Sequence, residues 1–174
     1  GCRGGDAVTL VDEQGQPWAS ALVDPDNPIC ARVYHQRPER PFDPVAALER
    51  AWERRRSLHD DPATDCYRLV HGEADFLPGL RVEGYADHWV LLFQSQAIWQ
   101  HRQALVTGLQ TLAPAGRLIL RQHFDDLRRS EVQSTDRDGR PVDPSLVITG
   151  QEDAVRVQLT PHAGLATGIY VDQR

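Results

Sequence analysis

Tyr67-Arg68-Leu69-Val70-His71-Gly72-Glu73-Ala74-Asp75, followed after Phe76 by Leu77-Pro78-Gly79-Leu80, is the stretch on which the fold turns. Residues 67–71 read as a strand and Leu77-Pro78-Gly79-Leu80 as a turn. Between them Glu73 and Asp75 stand two residues apart at the strand end. Two carboxylates so placed could bind a cation, or act with His71 as acid and base. They suit a turn equally, because Asp readily accepts hydrogen bonds from nearby backbone N–H groups.

Toward the C-terminus, residues 89–93 are a continuous apolar strand. Ile98, Leu105, Leu109 and Leu112 share one side of a helix that stops near Pro114 and Gly116. Residues 118–120 read as a buried strand, 124–144 as a charged, turn-rich loop, and 146–148 and Val155–Leu159 as further strands, the last strictly alternating. Residues 63–165 thus read as one α+β unit. Toward the N-terminus, Ala7–Val11, Pro17–Val23 and residues 29–34 are short strands. The turns between them are Asp12-Glu13-Gln14-Gly15 and Asp24-Pro25-Asp26-Asn27-Pro28. Three strands suit a small antiparallel barrel but cannot close one. A polar connector at 37–41 leads to a helix with Asp43 as N-cap and Pro44 at the first helical position, where its missing N–H costs nothing. Val45, Leu48, Trp52 and Leu58 give that helix its apolar side, and it ends by Asp61-Pro62.

The chain has 174 residues and a net charge of −6, with excess acid in both halves. That balance argues against tight non-specific binding to nucleic acid, whose affinity comes mainly from phosphate neutralisation; a local arginine surface remains compatible with it. All 19 basic residues are Arg, so a Schiff-base lysine, a phosphate-loop lysine and a Ser–Lys pair are excluded. The absence of Met points to a chain that begins inside a longer reading frame, or to an initiator removed by processing. No apolar run approaches a membrane span and no signal pattern is present. Cys2, Cys30 and Cys66 form no C-x-x-C and read as reduced thiols of a cytoplasmic protein. His123-Phe124-Asp125-Asp126 lacks a second His at ligand spacing, so no metal site is assigned. Arg54-Arg55-Arg56 could grip phosphates or form a salt-bridged helix face with Glu49, Glu53 and Asp60. Gly164-Leu165-Ala166-Thr167-Gly168 runs into an apolar segment at 169–171 and then Asp172-Gln173-Arg174, the pattern of a domain entrance.

Taken in order, these segments resemble the S-adenosylmethionine-dependent methyltransferases of large-subunit ribosomal RNA, the cytosine-5 branch in particular. Gly5-Asp6-Ala7-Val8 resembles the opening strand of that family's PUA barrel. Asp24-Pro25 to Ile29, and Ala31-Arg32-Val33, resemble its closing turn and strand. Tyr67 to Asp75 with Leu77-Pro78-Gly79-Leu80 is close to the central-domain signature, and Thr167-Gly168, Tyr170 and Asp172-Gln173-Arg174 look like the lead into the methyltransferase domain. Phe76 stands where the family usually has Gly, Glu83-Gly84 where it has Asp-Arg, and Ala166 where it has Lys; the arginine-rich loop at 121–131 matches loosely.

The resemblance implies an α+β chain divided into a partial PUA-like barrel (1–36), a linker and helix (37–62), an α+β central domain (63–165) and a lead-in (166–174) to a Rossmann-like methyltransferase domain outside this chain. It implies an RNA-recognition role, positioning ribosomal RNA for methyl transfer by the absent domain, in the cytoplasm. In that chemistry a cysteine thiolate adds to C6 of an unstacked cytosine so that C5 can attack the sulfonium methyl. None of the three cysteines matches the nucleophile's position, so no catalytic residue is assigned. Gln173 and Arg174 are expected near the S-adenosylmethionine pocket of the whole protein. Arg32, Arg54, Arg55, Arg68, Arg121 and Arg128 are the expected RNA contacts. A homodimer is left open. Two other readings stand beside this one: a stand-alone RNA- or protein-binding module without catalysis, and an unrelated α+β hydrolase using His71, Glu73 and Asp75.

Overall fold

The computed structural model describes residues 1–124 and 133–161. Three strands, β1 (Ala7–Val11), β2 (Pro17–Val23) and β3 (Ala31–His35), form an antiparallel sheet in the order β1-β2-β3. The first turn is held by the Asp12 carboxylate, which accepts from Gln14 N at 2.9 Å and Gln16 N at 2.7 Å, with Gly15 at φ +77°. The second turn takes up more chain than its sequence suggests. Asp24 N donates to Cys30 O and Ile29 N to the Asn27 side chain, so Ile29 stays exposed and β3 begins two residues later than expected, at Ala31. The sheet is open, and no closed barrel occurs among the described residues.

The 37–41 connector is anchored from the sheet beneath it. Ser20 Oγ donates to Arg37 O and accepts from Arg40 N, both at 2.9 Å, and Tyr34 OH donates to Arg40 O. Helix α1 (Pro44–Arg54) then starts as its sequence requires, with the Asp43 carboxylate accepting from Ala46 N at 2.9 Å. Its inner side is Ala47, Leu48 and Ala51. A short turn, α2 (Arg56–His59), follows.

The larger sheet has the order β4-β5-β6-β7-β8: β4 (Cys66–His71), β5 (Leu80–Tyr85), β6 (His88–Phe93), β7 (Arg117–Gln122) and β8 (Gln133–Asp136). Only β6 and β7 pair in parallel, joined by α3 (Gln96–Trp99) and α4 (Arg102–Leu112). One apolar cluster packs Leu69, Val82, Leu91 and Leu120 of this sheet against Leu48 and Ala51 of α1 and Leu105 and Leu109 of α4. Gly108 of α4 lies against Leu48 and Val45 of α1, where an added Cβ would stand 3.4 Å from Leu48. A second cluster, Cys66, Tyr85, Val90 and Ile119, is covered by Ile148 and Leu159 of a hairpin made by β9 (Ile148–Glu152) and β10 (Val155–Leu159).

The structure differs from the sequence reading in further elements: the helix expected to run from Pro44 past Leu58 stops at Arg54, and α2 follows separately. Strand β5 is absent from that reading because Arg81, Glu83 and Gly84 break its apolar pattern; Gly84 is there because the Trp89 ring lies 2.8 Å from where its Cβ would stand. The expected single helix through Ile98 and Leu112 is two, separated at Gln100 and His101. The loop at 124–144 contains β8, a polar strand recognisable only by its pairing with β7. The strand expected at 146–148 begins at Ile148, because Asp143 draws Ser145 and Leu146 into a turn.

Candidate nucleic-acid interface

Residues Gly72–Asp75 form one turn of 3-10 helix after β4, with Gly72 at φ +53° and Phe76 closing it in the left-handed region at φ +61°, ψ +24°. The turn buries Asp75, which is 2% exposed. Its Oδ2 accepts from His71 N at 2.7 Å and Arg55 Nη2 at 2.8 Å; its Oδ1 accepts from Arg55 Nη1 at 2.9 Å and Arg54 Nη1 at 3.0 Å. Arg55 Nε also donates to Arg68 O at 2.9 Å. Four donors fill the acceptor sites of one carboxylate, so Asp75 joins α1 to β4 and has no lone pair left for a cation. That removes the cation-binding reading of Glu73 and Asp75. Glu73 points outward and pairs with Arg32 at 3.1 Å.

The expected RNA-contacting arginines therefore divide. Arg55 is held by Asp75. Arg68 pairs with buried Glu83 at 2.6 Å, and Glu83 also accepts from Tyr85 OH at 2.8 Å. Arg121 is 1% exposed; burial pulls its pKa down and the nearby Glu83 charge pulls it back up. These three guanidiniums face the interior. Arg54 lies at the surface with half its side chain exposed, while Arg32, with 20% of its side chain exposed, is held by Glu73. Arg128, Gln173 and Arg174 lie outside the described residues.

Around Phe76 the structure assembles a surface that the sequence presents only as a connector and a solvated helix face. Two adjoining hollows, of about 490 and 630 Å3, are both lined by Tyr34, His35 and Phe76. Arg40 and Arg50 line the first and Arg37 the second. The His35 and Phe76 rings stack with centroids 5.8 Å apart and planes at 26°. His35 Nδ1 accepts from Arg37 N at 2.9 Å, which leaves its ring proton on Nε2 and fixes the ring's orientation. The Arg50 and Arg54 guanidiniums sit 5.8 and 5.9 Å from the Phe76 centroid. The guanidiniums of Arg37, Arg40 and Arg50 make no hydrogen bond or ion pair among the described residues. Their cue in the sequence is slight: two arginines flanking Pro38 in Arg37-Pro38-Glu39-Arg40, and one on the outer side of a helix.

Such a surface takes phosphate on its arginines and a ring on its aromatic pair. Among the described residues, the β6–β7 crossover does not fit S-adenosylmethionine. In the parallel β6–β7 unit the turn into the crossover is Gln94-Ser95, not a glycine cradle open to a nucleoside, and Ser95 is used as the helix cap. No group of three or more His, Cys, Asp or Glu that could hold a metal occurs among the described residues either. Cys66 is buried, and burial pushes its thiol up to about 12, so it is no nucleophile at neutral pH. No described helix is long and apolar enough to cross a membrane.

No family model matches the sequence. The ribosomal RNA large subunit methyltransferase I of Tolumonas auensis is 31% identical over 176 residues, an alignment that covers 98% of this chain and 44% of that protein. The same-named protein of Escherichia coli strain K12 is 28% identical over 173 residues, with the same coverage. Among solved structures, a candidate SAM-dependent methyltransferase from Streptococcus mutans superposes with a TM-score of 0.75 at 17% identity, over 99% of this chain and 44% of that one. A candidate methyltransferase complexed with SAH gives 0.76 at 16% identity, over 98% and 43%. At that identity the likeness shows the fold. The chain spans a little under half the length of the curated relatives it matches, and those relatives, aligned along nearly all of it, are ribosomal RNA large-subunit methyltransferases.

Proposed function

We propose that this chain is the RNA-recognition part of an S-adenosylmethionine-dependent ribosomal RNA (cytosine-5) methyltransferase, acting in the cytoplasm, with methyl transfer carried out by a segment outside the 174 residues. The observation that carries this is the surface at Phe76: three arginines that form no ion pair among the described residues, gathered around an aromatic pair, on a chain whose overall charge is negative. An acidic protein that binds RNA must concentrate its cations, and this one does so where the three-stranded sheet, α1 and the turn after β4 meet.

In this reading Arg37, Arg40 and Arg50 take phosphates, with Arg32 and Arg54 at the margin and Arg128 as a further candidate. Arg55, Arg68 and Arg121 hold the frame on which these stand. The division into 1–36, 37–62, 63–165 and 166–174, the PUA-like character of the first part, and the place of Gln173 and Arg174 beside the cofactor belong to the same proposal. S-adenosylmethionine would supply the methyl group from outside the described residues, and none of those residues takes part in its transfer.

The test is fluorescence anisotropy with a fragment of large-subunit ribosomal RNA at several salt concentrations. The triple variant R37A/R40A/R50A is expected to bind more weakly and to lower the salt slope by about 0.7 for each single-strand phosphate it no longer neutralises. Unchanged affinity and slope would refute the interface.

A further inference from the structure

We propose that the His35–Phe76 pair is a stacking platform for one unpaired nucleobase, so that this surface selects single-stranded RNA, a loop or a bulge, over duplex. The inference rests on the RNA-recognition reading and sharpens it.

Three observations carry it. The first is conformational. Phe76 is held at φ +61°, a region that a bulky L-residue seldom occupies and that glycine enters without cost. Part of the ring packs against the edge of the core, and the rest stays open to the two hollows, where a large aromatic at a strained position can serve a ligand. The second is geometric. The two ring planes lie 26° apart and both rings line both hollows, while the Arg50 and Arg54 guanidiniums sit over Phe76, so a base stacking on the pair takes the place of those cations on the ring and leaves them to its phosphates. The hydrogen bond from Arg37 N to His35 Nδ1 holds the imidazole in place before any ligand arrives. The third is chemical. Arg40 and Arg50 line one hollow beside Asp43, and Arg37 the other beside Glu73, an acid already paired with Arg32, so each hollow holds an arginine within reach of the phosphates that flank a splayed base. A duplex keeps its bases stacked on one another and presents phosphate and sugar only; a single strand offers the base face that an aromatic pair can take.

The experiment compares binding of one RNA sequence as a single strand and as a duplex by wild type, F76G, F76L and F76W, with the melting temperature of each variant measured alongside. F76G relieves the backbone while removing the ring, and F76L keeps apolar bulk without a π face. The expected result is a preference of the wild type for the single strand, a loss of roughly tenfold or more in single-strand affinity for F76G and F76L, duplex affinity unchanged, and near wild-type binding by F76W. Full single-strand affinity in F76G or F76L overturns the platform while leaving the arginine interface standing. So does an equal loss for single strand and duplex. If wild-type protein binds neither form, the RNA-recognition reading falls and this inference falls with it.

Discussion

Two sets of arginines lie within a few residues of one another and do opposite work. Arg55 and Arg68 point inward onto Asp75 and Glu83, carboxylates that are themselves buried. Arg37, Arg40 and Arg50 point outward around Phe76 and form no ion pair among the described residues, although Asp43 and Glu73 line the same hollows. The sets differ in where the acids are, not in the arginines. A guanidinium beside a buried carboxylate joins secondary-structure elements and is unavailable to a ligand, whereas one without such a partner keeps its five donors for whatever arrives.

Removing the acid at the centre of the inner set has the largest expected effect. D75A leaves the Arg55 guanidinium and His71 N–H without their acceptor in a site closed to water, and it is expected to cost about 3 kcal/mol or more, read as a fall in the urea midpoint at unchanged slope. A stability loss under about 0.5 kcal/mol would break the comparison, because the inner arginines would then not depend on their acid. Arg54 and Arg55 provide the finer version of the same test. Both donate to Asp75, but the Arg55 side chain is 19% exposed and the Arg54 side chain 51%. R55A is expected to cost about 2 kcal/mol, as the loss of charge-assisted bonds to a buried anion, and R54A less than about 1 kcal/mol. Equal losses would mean that exposure does not separate them.

The inner region also carries a pH dependence. His59 Nδ1 faces Tyr67 OH at 2.5 Å, its Nε2 donates to Trp52 O at 2.9 Å, and its ring stacks on Trp52. Burial lowers its pKa, with Arg55 adding to the effect and the Trp52 carbonyl, Asp60 and Glu53 opposing it. The folded protein therefore binds fewer protons than the unfolded chain just below the ordinary histidine value of 6.5. The stability associated with this neutral ring is complete above that value and is lost as pH falls below it, by an uptake of under one proton. H59Q is expected to flatten the slope of stability against pH in that window. A slope unchanged by the substitution would assign it to another group, of which His123, also lowered by burial, is the first to test.

What was legible in the sequence follows from how local each signal is. Helix α1 could be read from Asp43-Pro44 and the spacing of Val45, Leu48 and Trp52, because capping and amphipathic spacing act within a few residues. Strand β10 could be read from its alternation. Strand β5 could not, since Gly84 is explained only by the Trp89 ring across the hairpin, and β8 could not, since only its pairing with β7 makes it a strand. The site divides in the same way. Arg54, Arg55 and Asp75 each stand out in the sequence separately, but their joining is a contact across 20 residues that no spacing rule encodes. Arg37 and Arg40 read as part of a polar connector because the anchors that aim that segment, Ser20 and Tyr34, come from two other strands.

The smallest stability effect belongs to the outer set, and its smallness is the sharpest part of the comparison. R40A and R50A each remove a guanidinium with no ion-pair partner among the described residues; the connector's hold on the sheet runs through Arg40 backbone atoms, which the substitution keeps. Each is expected to change unfolding free energy by no more than about 0.5 kcal/mol, against the several expected at Asp75. Arg50 also lies over the Phe76 ring, so its change should be the larger of the two, though still within that bound. Stability measured by urea unfolding and RNA affinity measured on the same preparations should thus move independently: the inner substitutions lower the first, and the outer ones only the second. A destabilisation of R50A comparable to that of R55A would place Arg50 in the frame and remove it from the interface, leaving Arg37 and Arg40 as its cations.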